Sequence, residues 1–325
     1  YMGTPETLTY VQEAEGRNEW KITDGETIAA CLKALEQMKV GEKTDLRAAD
    51  AGDNVFAASC YCPITNLEHA DMAYEWEFCG VNDFHRANMK MDEGGRPVFT
   101  PVDGEMTKEQ ILVSAEEKAM FPAYVNSLGL KDENGDPLTL DADGEGSLKE
   151  YVKRVVMESA QRASDQGVDL SDKPWLIVEN GKVQGMDFTA YVKDITRMKT
   201  APAFDALDLE SPENDLFGNE TTNCRHFTEY STAHTKAQGA CAEAEVVKMM
   251  NPMEYIMDEK AEKAQHFRIR HGECDRDTSL VISAMLTAKL REAGCEVDYH
   301  SPWNTPHAGD YDLDELFAWI DGICG

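Results

Sequence analysis

An aspartate and a histidine near the end of the 325-residue chain have residue types and an order that could support acid–base chemistry. Asp275 lies in a polar turn, residues 272–277, and His307 lies in a loop rich in proline and glycine, residues 302–309. In hydrolases with a serine nucleophile the acid precedes the histidine, holds the imidazole in one tautomer and stabilises the imidazolium, while the histidine acts as general base. The structural alternative makes Asp275 a turn residue, Asp277 a helix N-cap, and His307 one of eight histidines that happens to lie in a loop.

The elements around this pair follow a strand, helix, strand, helix order. Residues 266–271 (HFRIRH) and 295–300 (CEVDYH) predict two strands, and residues 279–293 between them have a helical apolar face that ends before Gly294. A final helix is expected from about Asp312. A helical crossover makes two strands of one sheet parallel, so both predicted groups lie at the carboxyl edge, where open α/β sheets carry their chemistry.

Three long sequence segments resemble one enzyme family. RHGECDRDTS (residues 270–279), SPWNTPHAGDYDLDELFAWI (301–320) and DNVFAASCYCPITNLEHADMAYEW (53–76) are similar to segments of bacterial tannases, which are tannin acyl hydrolases of the α/β-hydrolase superfamily. The resemblance implies an α/β fold, with an α/β-hydrolase parallel sheet and an inserted, mainly helical lid domain. It also implies that Asp275 is the acid of a catalytic triad and His307 its base.

The same resemblance implies three substrate-binding residues. Asp277 matches a family residue that binds a galloyl hydroxyl, and Lys199 and Glu213 are the best matches for a lysine and a glutamate that do the same from the lid. One cation and two carboxylates suit the neighbouring phenolic hydroxyls of gallate, which can both donate and accept hydrogen bonds. Without the resemblance, a lysine or glutamate in such a loop is more often plain surface.

The sequence offers no serine in the pattern that a nucleophile elbow needs. Gly-x-Ser-x-Gly does not occur in the chain. Ser127 has a glycine on one side alone, and Ser59 lies within an apolar strand that does not turn sharply into a helix. Because the chain also begins with Tyr1, we interpret it as a fragment that lacks an N-terminal part carrying the nucleophile, and we expect it to be inactive alone.

The predicted domains follow a change in pattern along the chain. Residues 1–81 are expected to form the central part of the hydrolase core, with a helix at 26–39, a buried strand at 54–61 and helical turns at 67–78. Residues 82–255 are polar and rich in loops and are expected to form the lid. There we predict helices from Thr107 to about residue 126, at 147–166 and from Asp187 through Arg197, and one hairpin at 175–184. Residues 256–325 are expected to complete the core.

Composition limits the partners. The chain has 31 Lys and Arg against 61 Asp and Glu, a net charge of −30, which disfavours nucleic acid and anionic membranes as partners. We expect a small aromatic ester as substrate, and no cofactor or metal. The acidic run at residues 132–145 fits no EF-hand register. The nine scattered cysteines favour free thiols, and Cys60 and Cys62 are most simply small buried side chains.

Two other functions fit the same residues. A feruloyl esterase or another carboxylesterase would keep Asp275 and His307 but would not need Lys199, Glu213 and Asp277 to act together. A binding protein that kept the hydrolase scaffold without catalysis is the second alternative.

Overall fold

The computed structural model describes residues 55–91 and 96–325, together with two short strands near the start of the chain. The chain divides into two compact units, Tyr1–Asp53 and Asn54–Gly325. In the first unit, β1 (Val11–Ala14) and β2 (Glu19–Ile22) pair antiparallel. The helix predicted at residues 26–39 lies outside the described residues.

A three-stranded parallel sheet lies at the centre of the second unit. Its strand order is β3 (Ala57–Tyr61), β8 (His266–Arg270), β9 (Glu296–His300). In register, Ala57 pairs with His266 and His266 pairs with Glu296, so the three strands end at one edge. Strands at the three predicted places and the parallel pairing of β8 with β9 are thus confirmed. The expectation that residues 54–61 form a buried strand is wrong, because β3 begins at Ala57 and none of its residues is fully buried.

The crossover from β8 to β9 contains α8 (Leu280–Glu292). Ser279 caps its first turn by accepting from the Val281 amide, and Gly294, with a φ of +81°, lies just beyond its end. Ten of the thirteen residues of α8 are buried, because the helix packs against strand β9 on one side and against helices on others. The alternative that Asp277 is the N-cap of this helix is wrong, because Ser279 takes that position.

The segment between the strands β3 and β8 holds seven helices in its described residues. Their bounds are α1 (Ala70–Phe78), α2 (Lys108–Ser127), α3 (Ser147–Asp165), α4 (Phe188–Ile195), α5 (Pro212–Leu216), α6 (Glu229–Ala233) and α7 (Ala244–Met249), with 3₁₀ turns at Leu67–His69 and Pro252–Glu254. The predicted capping box of Thr107 and Gln110 begins α2, and Asp187 caps α4, which ends at Ile195, two residues earlier than predicted.

Two antiparallel hairpins lie in the same segment. The predicted one is β6 (Leu176–Glu179) with β7 (Lys182–Met186). The other, β4 (Asp83–Met91) with β5 (Pro97–Glu105), was not predicted. Proline at Pro97 and Pro101 argues against a strand by pattern, yet in a two-stranded sheet each strand is an edge strand and tolerates proline.

One hydrophobic core joins the sheet to the helices that precede it. Ile269 of β8 and Val281 of α8 share this core with Tyr74 of α1, Phe121 of α2 and Tyr191 of α4. Because these side chains are buried together, the elements that carry them hold fixed positions around the carboxyl edge of the sheet. Among the described residues, no helix combines the length and the apolar character needed to cross a membrane. The last helix is α9 (Leu313–Cys324).

Candidate active site

Asp275 and His307 lie together at the carboxyl edge of the parallel sheet. The Nδ1 atom of His307 is 2.9 Å from Oδ2 of Asp275. The other oxygen of Asp275, Oδ1, accepts from the backbone amides of Asp277 at 2.7 Å and Thr278 at 3.1 Å. The Asp275 side chain is 1% exposed and that of His307 46% exposed. Asp275 is therefore both a turn residue and the hydrogen-bond partner of His307.

The two loops that carry this pair are bonded to each other through their backbones. The amide of Glu273 donates to Pro302 O at 2.9 Å, and the amide of Cys274 donates to Thr305 O at 3.2 Å. Gly272, the residue before Glu273, lies so close to the His307 loop that a Cβ on it would be 2.1 Å from Thr305 O. A glycine is required here because any side chain would push the Asp275 turn away from the His307 loop.

Lys199, Glu213 and Asp277 also lie together. The Lys199 Nζ atom is 3.0 Å from Oδ1 of Asp277 and 3.5 Å from Oε1 of Glu213. The side chain of Lys199 is 17% exposed, that of Glu213 20% and that of Asp277 26%, so the three charged ends are largely sheltered from water. All three line one cavity of about 590 Å³, to which Arg86 and Ser211 also contribute. We call Lys199, Glu213 and Asp277 the charged triplet.

Comparison with solved structures finds several similar proteins. The tannase from Lactobacillus plantarum superimposes with a TM-score of 0.82 at 45% identity, over 85% of this chain and 59% of that one. The tannase of Fusobacterium nucleatum gives a TM-score of 0.79 at 39% identity, over 90% and 62%. A tannin acyl hydrolase solved in complex with ethyl gallate gives 0.80 at 42%, over 93% and 61%.

The chain belongs to the bacterial tannase family. It spans about three fifths of the length of the tannases that it matches. No family model matches the sequence, and neither does any curated protein.

Within this tannase-family chain, electrostatics favour an ionised acid beside a protonated histidine. Burial alone would raise the pKa of Asp275, but the charges of His271 and His307 and the hydrogen bond from His307 hold it below its ordinary value. Hydrogen bonds to Asp275 and Cys62 raise the pKa of His307. Because the imidazolium is the state that a general base reaches after taking a proton, this environment stabilises the product of that step.

A second histidine contacts the acid and was not among the predicted site residues. His271 is fully buried, and its Nε2 atom lies 3.4 Å from Oδ2 of Asp275 and 3.1 Å from Thr278 O, while Nδ1 lies 2.8 Å from the Ser283 hydroxyl. Burial lowers the pKa of His271, against the raising effect of the nearby Asp275 carboxylate. Its place directly after strand β8, four residues before Asp275, was the available sequence signal.

The Lys199 segment is held by contacts that the sequence pattern did not indicate. The buried Tyr74 hydroxyl accepts from the amides of Met198 at 3.2 Å and Lys199 at 3.1 Å and donates to Arg276 O at 2.8 Å. Arg197 donates from Nε to Lys199 O and pairs through both terminal nitrogens with Glu75, with neither side chain exposed. Two buried anchors thus fix the backbone of Lys199 beside the turn that carries Asp277.

One cysteine also reaches the paired residues. Ligand atoms of Cys62, Asp275 and His307 lie within 4.8 Å of one another, and they form the one group of three or more possible metal-ligating residues found in the part of the chain that the structure describes. Cys62 is 4% exposed, as predicted for a small buried side chain, but it follows strand β3 and does not lie within it.

Proposed function

We propose that this chain carries the acid, the base and the galloyl-binding residues of a serine esterase that cleaves galloyl esters through an acyl-enzyme. The observation that carries this proposal is the use of two carboxylates in one turn. Asp275 contacts His307, while Asp277, two residues later, contacts the ammonium of Lys199 in the neighbouring cavity. Tannin acyl hydrolases similar to the chain were solved with ethyl gallate and with 3,4-dihydroxybenzoate, which supports a hydroxylated aromatic ligand.

In the proposed reaction a serine hydroxyl attacks the ester carbonyl. His307 accepts the hydroxyl proton and returns it to the leaving alcohol, so an acyl-enzyme forms and the alcohol departs neutral. Water then attacks the acyl-enzyme with His307 again as base, which releases the acid and restores the serine. Asp275 stabilises the imidazolium in both steps. The sequence has no Gly-x-Ser-x-Gly, so the proposal needs a serine from outside these 325 residues.

The charged triplet would give this reaction its acyl specificity. The carboxylates of Glu213 and Asp277 can accept hydrogen bonds from phenolic hydroxyls, and the ammonium of Lys199 can donate one. The three groups already satisfy one another in this structure. A ligand that separates them without offering hydroxyls would leave sheltered charges unpaired, so aryl esters without hydroxyls should bind poorly.

At the level of the fold, we propose an α/β-hydrolase core that includes residues 54–81 and 256–325, with residues 82–255 inserted as a lid. The composition of the cavity supports this division. Lys199 and Glu213 come from the inserted segment, and Asp277 comes from the turn after β8. A substrate bound there would contact both parts, which is how lids commonly take part in recognition.

The test combines this chain with the portion of Lactobacillus plantarum tannase that it does not cover. The two pieces are co-expressed, purified as a complex and assayed with methyl gallate. We expect no turnover by the chain alone and turnover by the complex that a serine-directed inhibitor abolishes. Asp275→Asn and His307→Gln should each lower kcat of the complex by several orders of magnitude, because the base loses its tautomer control or is absent. We call this complex the reconstituted enzyme.

The outcomes separate the proposal from its alternatives. Methyl ferulate hydrolysed as well as methyl gallate would favour a broader carboxylesterase. A stable complex that binds gallate but hydrolyses no ester would favour a non-catalytic binding protein. Inhibitor-sensitive turnover by the chain alone would show that a serine within it is the nucleophile, and would overturn the assignment given above.

A further inference from the structure

The cluster of Cys62, Asp275 and His307 is built from three neighbouring loops at the carboxyl edge of the sheet. Cys62 follows β3, Asp275 follows β8 and His307 follows β9. The thiol sulphur, a carboxylate oxygen and an imidazole nitrogen lie within 4.8 Å of one another. The acid–base role proposed above uses Asp275 and His307 and leaves the thiol of Cys62 without an assigned task.

The backbone fixes the Cys62 thiol beside the histidine loop. The Cys62 amide donates to Arg270 O at 2.7 Å, which continues the pairing of β3 with β8 by one residue. Its φ of +43° is unusual for a residue with a side chain and turns the chain out of the strand direction. The sulphur then lies 3.6 Å from Ala308 O, the residue next to His307. The thiol is therefore positioned by the fold and not merely packed into the core.

These ligand types match soft and borderline divalent cations. Zn²⁺ in proteins is bound by thiolate sulphur at about 2.3 Å and by imidazole nitrogen or carboxylate oxygen at roughly 2.0–2.2 Å. A tetrahedral ion with such bonds holds its ligand atoms about 3.3–3.6 Å apart. Cys62 would approach slightly, and the Asp275 to His307 contact, now 2.9 Å, would open by a few tenths of an ångström. Ca²⁺ and Mg²⁺ prefer oxygen ligands and do not fit this set.

Access and charge also suit a cation. Cys62 and Asp275 are buried, but nearly half of the His307 side chain is exposed, so an ion can reach the cluster from that side. Water would complete the fourth coordination position, as in zinc sites with three protein ligands. The net charge of −30 raises the local concentration of cations around the chain.

We propose that Cys62, Asp275 and His307 form a binding site for a Zn²⁺-like cation. Binding releases the thiol proton of Cys62 and the imidazolium proton of His307 to solvent, and Asp275 turns from its hydrogen bond with His307 towards the ion. No oxidation or reduction is involved. If the acid–base role of Asp275 and His307 is correct, the ion occupies both groups, and it inhibits the esterase reversibly. That second statement rests on the proposed function, whereas the site itself does not.

The first experiment measures metal binding by the chain alone. Co²⁺ is titrated as a spectroscopic probe, because a thiolate ligand gives a charge-transfer band in the near ultraviolet, and Zn²⁺ is then added to displace it. We expect one Co²⁺ per chain with this band, and its loss on addition of Zn²⁺. Cys62→Ser should abolish the band, and His307→Gln should weaken Zn²⁺ binding by at least about tenfold.

Cys60→Ser is the matched control, since Cys60 is a partly buried cysteine of β3 two residues before Cys62. It should leave the Co²⁺ band and the Zn²⁺ affinity unchanged. Circular dichroism checks that each variant is folded, and the more exposed His307 offers a variant with little risk to folding. Absence of the band in the parent chain, or its persistence in Cys62→Ser, would overturn the site.

The second experiment tests the link to catalysis in the reconstituted enzyme. Zn²⁺ should inhibit hydrolysis of methyl gallate, and a chelator should restore it. Cys62→Ser should need at least about tenfold more Zn²⁺ for the same inhibition, and Cys60→Ser should match the parent. Zn²⁺ bound through Cys62 without inhibition would keep the metal site and overturn the catalytic assignment of Asp275 and His307, so the two failures are distinguishable.

Discussion

Asp277 is the residue on which the proposed acyl specificity depends. Its backbone amide supports Asp275, and its side chain faces Lys199 at 3.0 Å, so one residue links the proposed acid to the proposed substrate cavity. Because Ser279 and not Asp277 caps α8, a change of the Asp277 side chain removes no helix cap. The effect of such a change on substrates can therefore be separated from an effect on stability.

Asp277→Ala in the reconstituted enzyme should reduce kcat/KM for methyl gallate by about tenfold to a hundredfold, the cost of one charge-assisted hydrogen bond. Methyl benzoate, which offers no hydroxyl, should lose little. The ratio of the two kcat/KM values is the measurement. Asp215→Ala, an exposed acid on α5, serves as the control and should leave that ratio unchanged. An equal loss with both esters would remove Asp277 from the recognition of hydroxyls.

Lys199→Met tests the charged triplet through the affinity of the chain for a gallate ester, a measurement that needs no nucleophile. The change leaves the carboxylates of Glu213 and Asp277 facing one cavity without their shared cation. We expect the chain to bind propyl gallate at least about tenfold more weakly, because a donor is lost and two like charges remain. Titration calorimetry measures the affinity. Lys182→Met, whose ammonium lies on the β6–β7 hairpin, should bind as the parent does.

At the scale of elements, the site depends on close contacts between segments far apart in sequence. Gly272 permits the loops after β8 and β9 to meet, and Tyr74 on α1 ties the Lys199 segment to the turn after β8. These contacts set the distance from the acid–base pair to the charged triplet. Each of these two contacts can be tested by a single substitution.

Gly272→Ala should lower the activity of the reconstituted enzyme with every ester. The added methyl group would meet Thr305 O, and the loops must separate, which moves Asp275 away from His307. A displacement of about 1 Å at such a site costs on the order of a hundredfold in rate. Gly322→Ala places its methyl in open space within α9 and is the matched control. Rates for Gly272→Ala equal to those of the parent would show that the two loops accommodate a methyl group without moving Asp275 from His307.

Tyr74→Phe should impair recognition of gallate and lower stability together. The amides of Met198 and Lys199 would lose their buried acceptor, at a cost of about 1–3 kcal/mol in the free energy of unfolding. The ratio of kcat/KM for methyl gallate over methyl benzoate should also fall. Tyr124→Phe removes another sheltered hydroxyl, bonded to Asn66, and should lower stability without changing that ratio. Urea unfolding and the two assays measure the effects.

The elements that sequence could predict are those with local signals. The helix between β8 and β9 has a helical apolar period, a serine before it and a glycine after it. Because a helix connects them, the two strands could be predicted to be parallel. The β4–β5 hairpin escaped prediction because its prolines resemble loop signals. The pair of Arg197 with Glu75, 122 residues apart, depends on tertiary packing that no local pattern encodes.

For the candidate site the limit was similar. Asp275 and His307 could be chosen because both follow strands of one parallel sheet, so fold-level reasoning brings them to one edge. Lys199 and Glu213 follow no such rule, and the family resemblance alone selected them. His271 and Cys62 were passed over because each read as a strand or core residue, and their contacts with the pair arise from how the strands end.

At the scale of the whole molecule, the acidic composition extends into the interior. Glu77 on α1 is buried, and its Oε2 atom accepts from the Ser279 hydroxyl at 2.5 Å and the Leu280 amide at 3.0 Å, at the start of α8. Burial raises its pKa from 4.5 to about 7, against the lowering effect of these two bonds. Burial likewise raises the pKa of Asp71 and that of Glu273 to about 7.

A carboxyl group with such a raised pKa makes stability fall as pH rises. Between pH 4.5 and 7 the folded chain holds the Glu77 proton that the unfolded chain has lost, so the stabilisation is complete below pH 4.5 and is lost as pH rises through about 7. The difference corresponds to roughly 3 kcal/mol.

Glu77→Gln keeps an oxygen acceptor for both bonds but cannot ionise. We therefore expect this variant to lose about 2–3 kcal/mol less than the parent chain in unfolding free energy between pH 5 and pH 8, by urea denaturation. Glu179→Gln, at an exposed position in β6, should follow the parent. If Glu77→Gln and the parent show the same dependence on pH, Glu77 is already ionised at pH 5, and its two hydrogen bonds outweigh its burial.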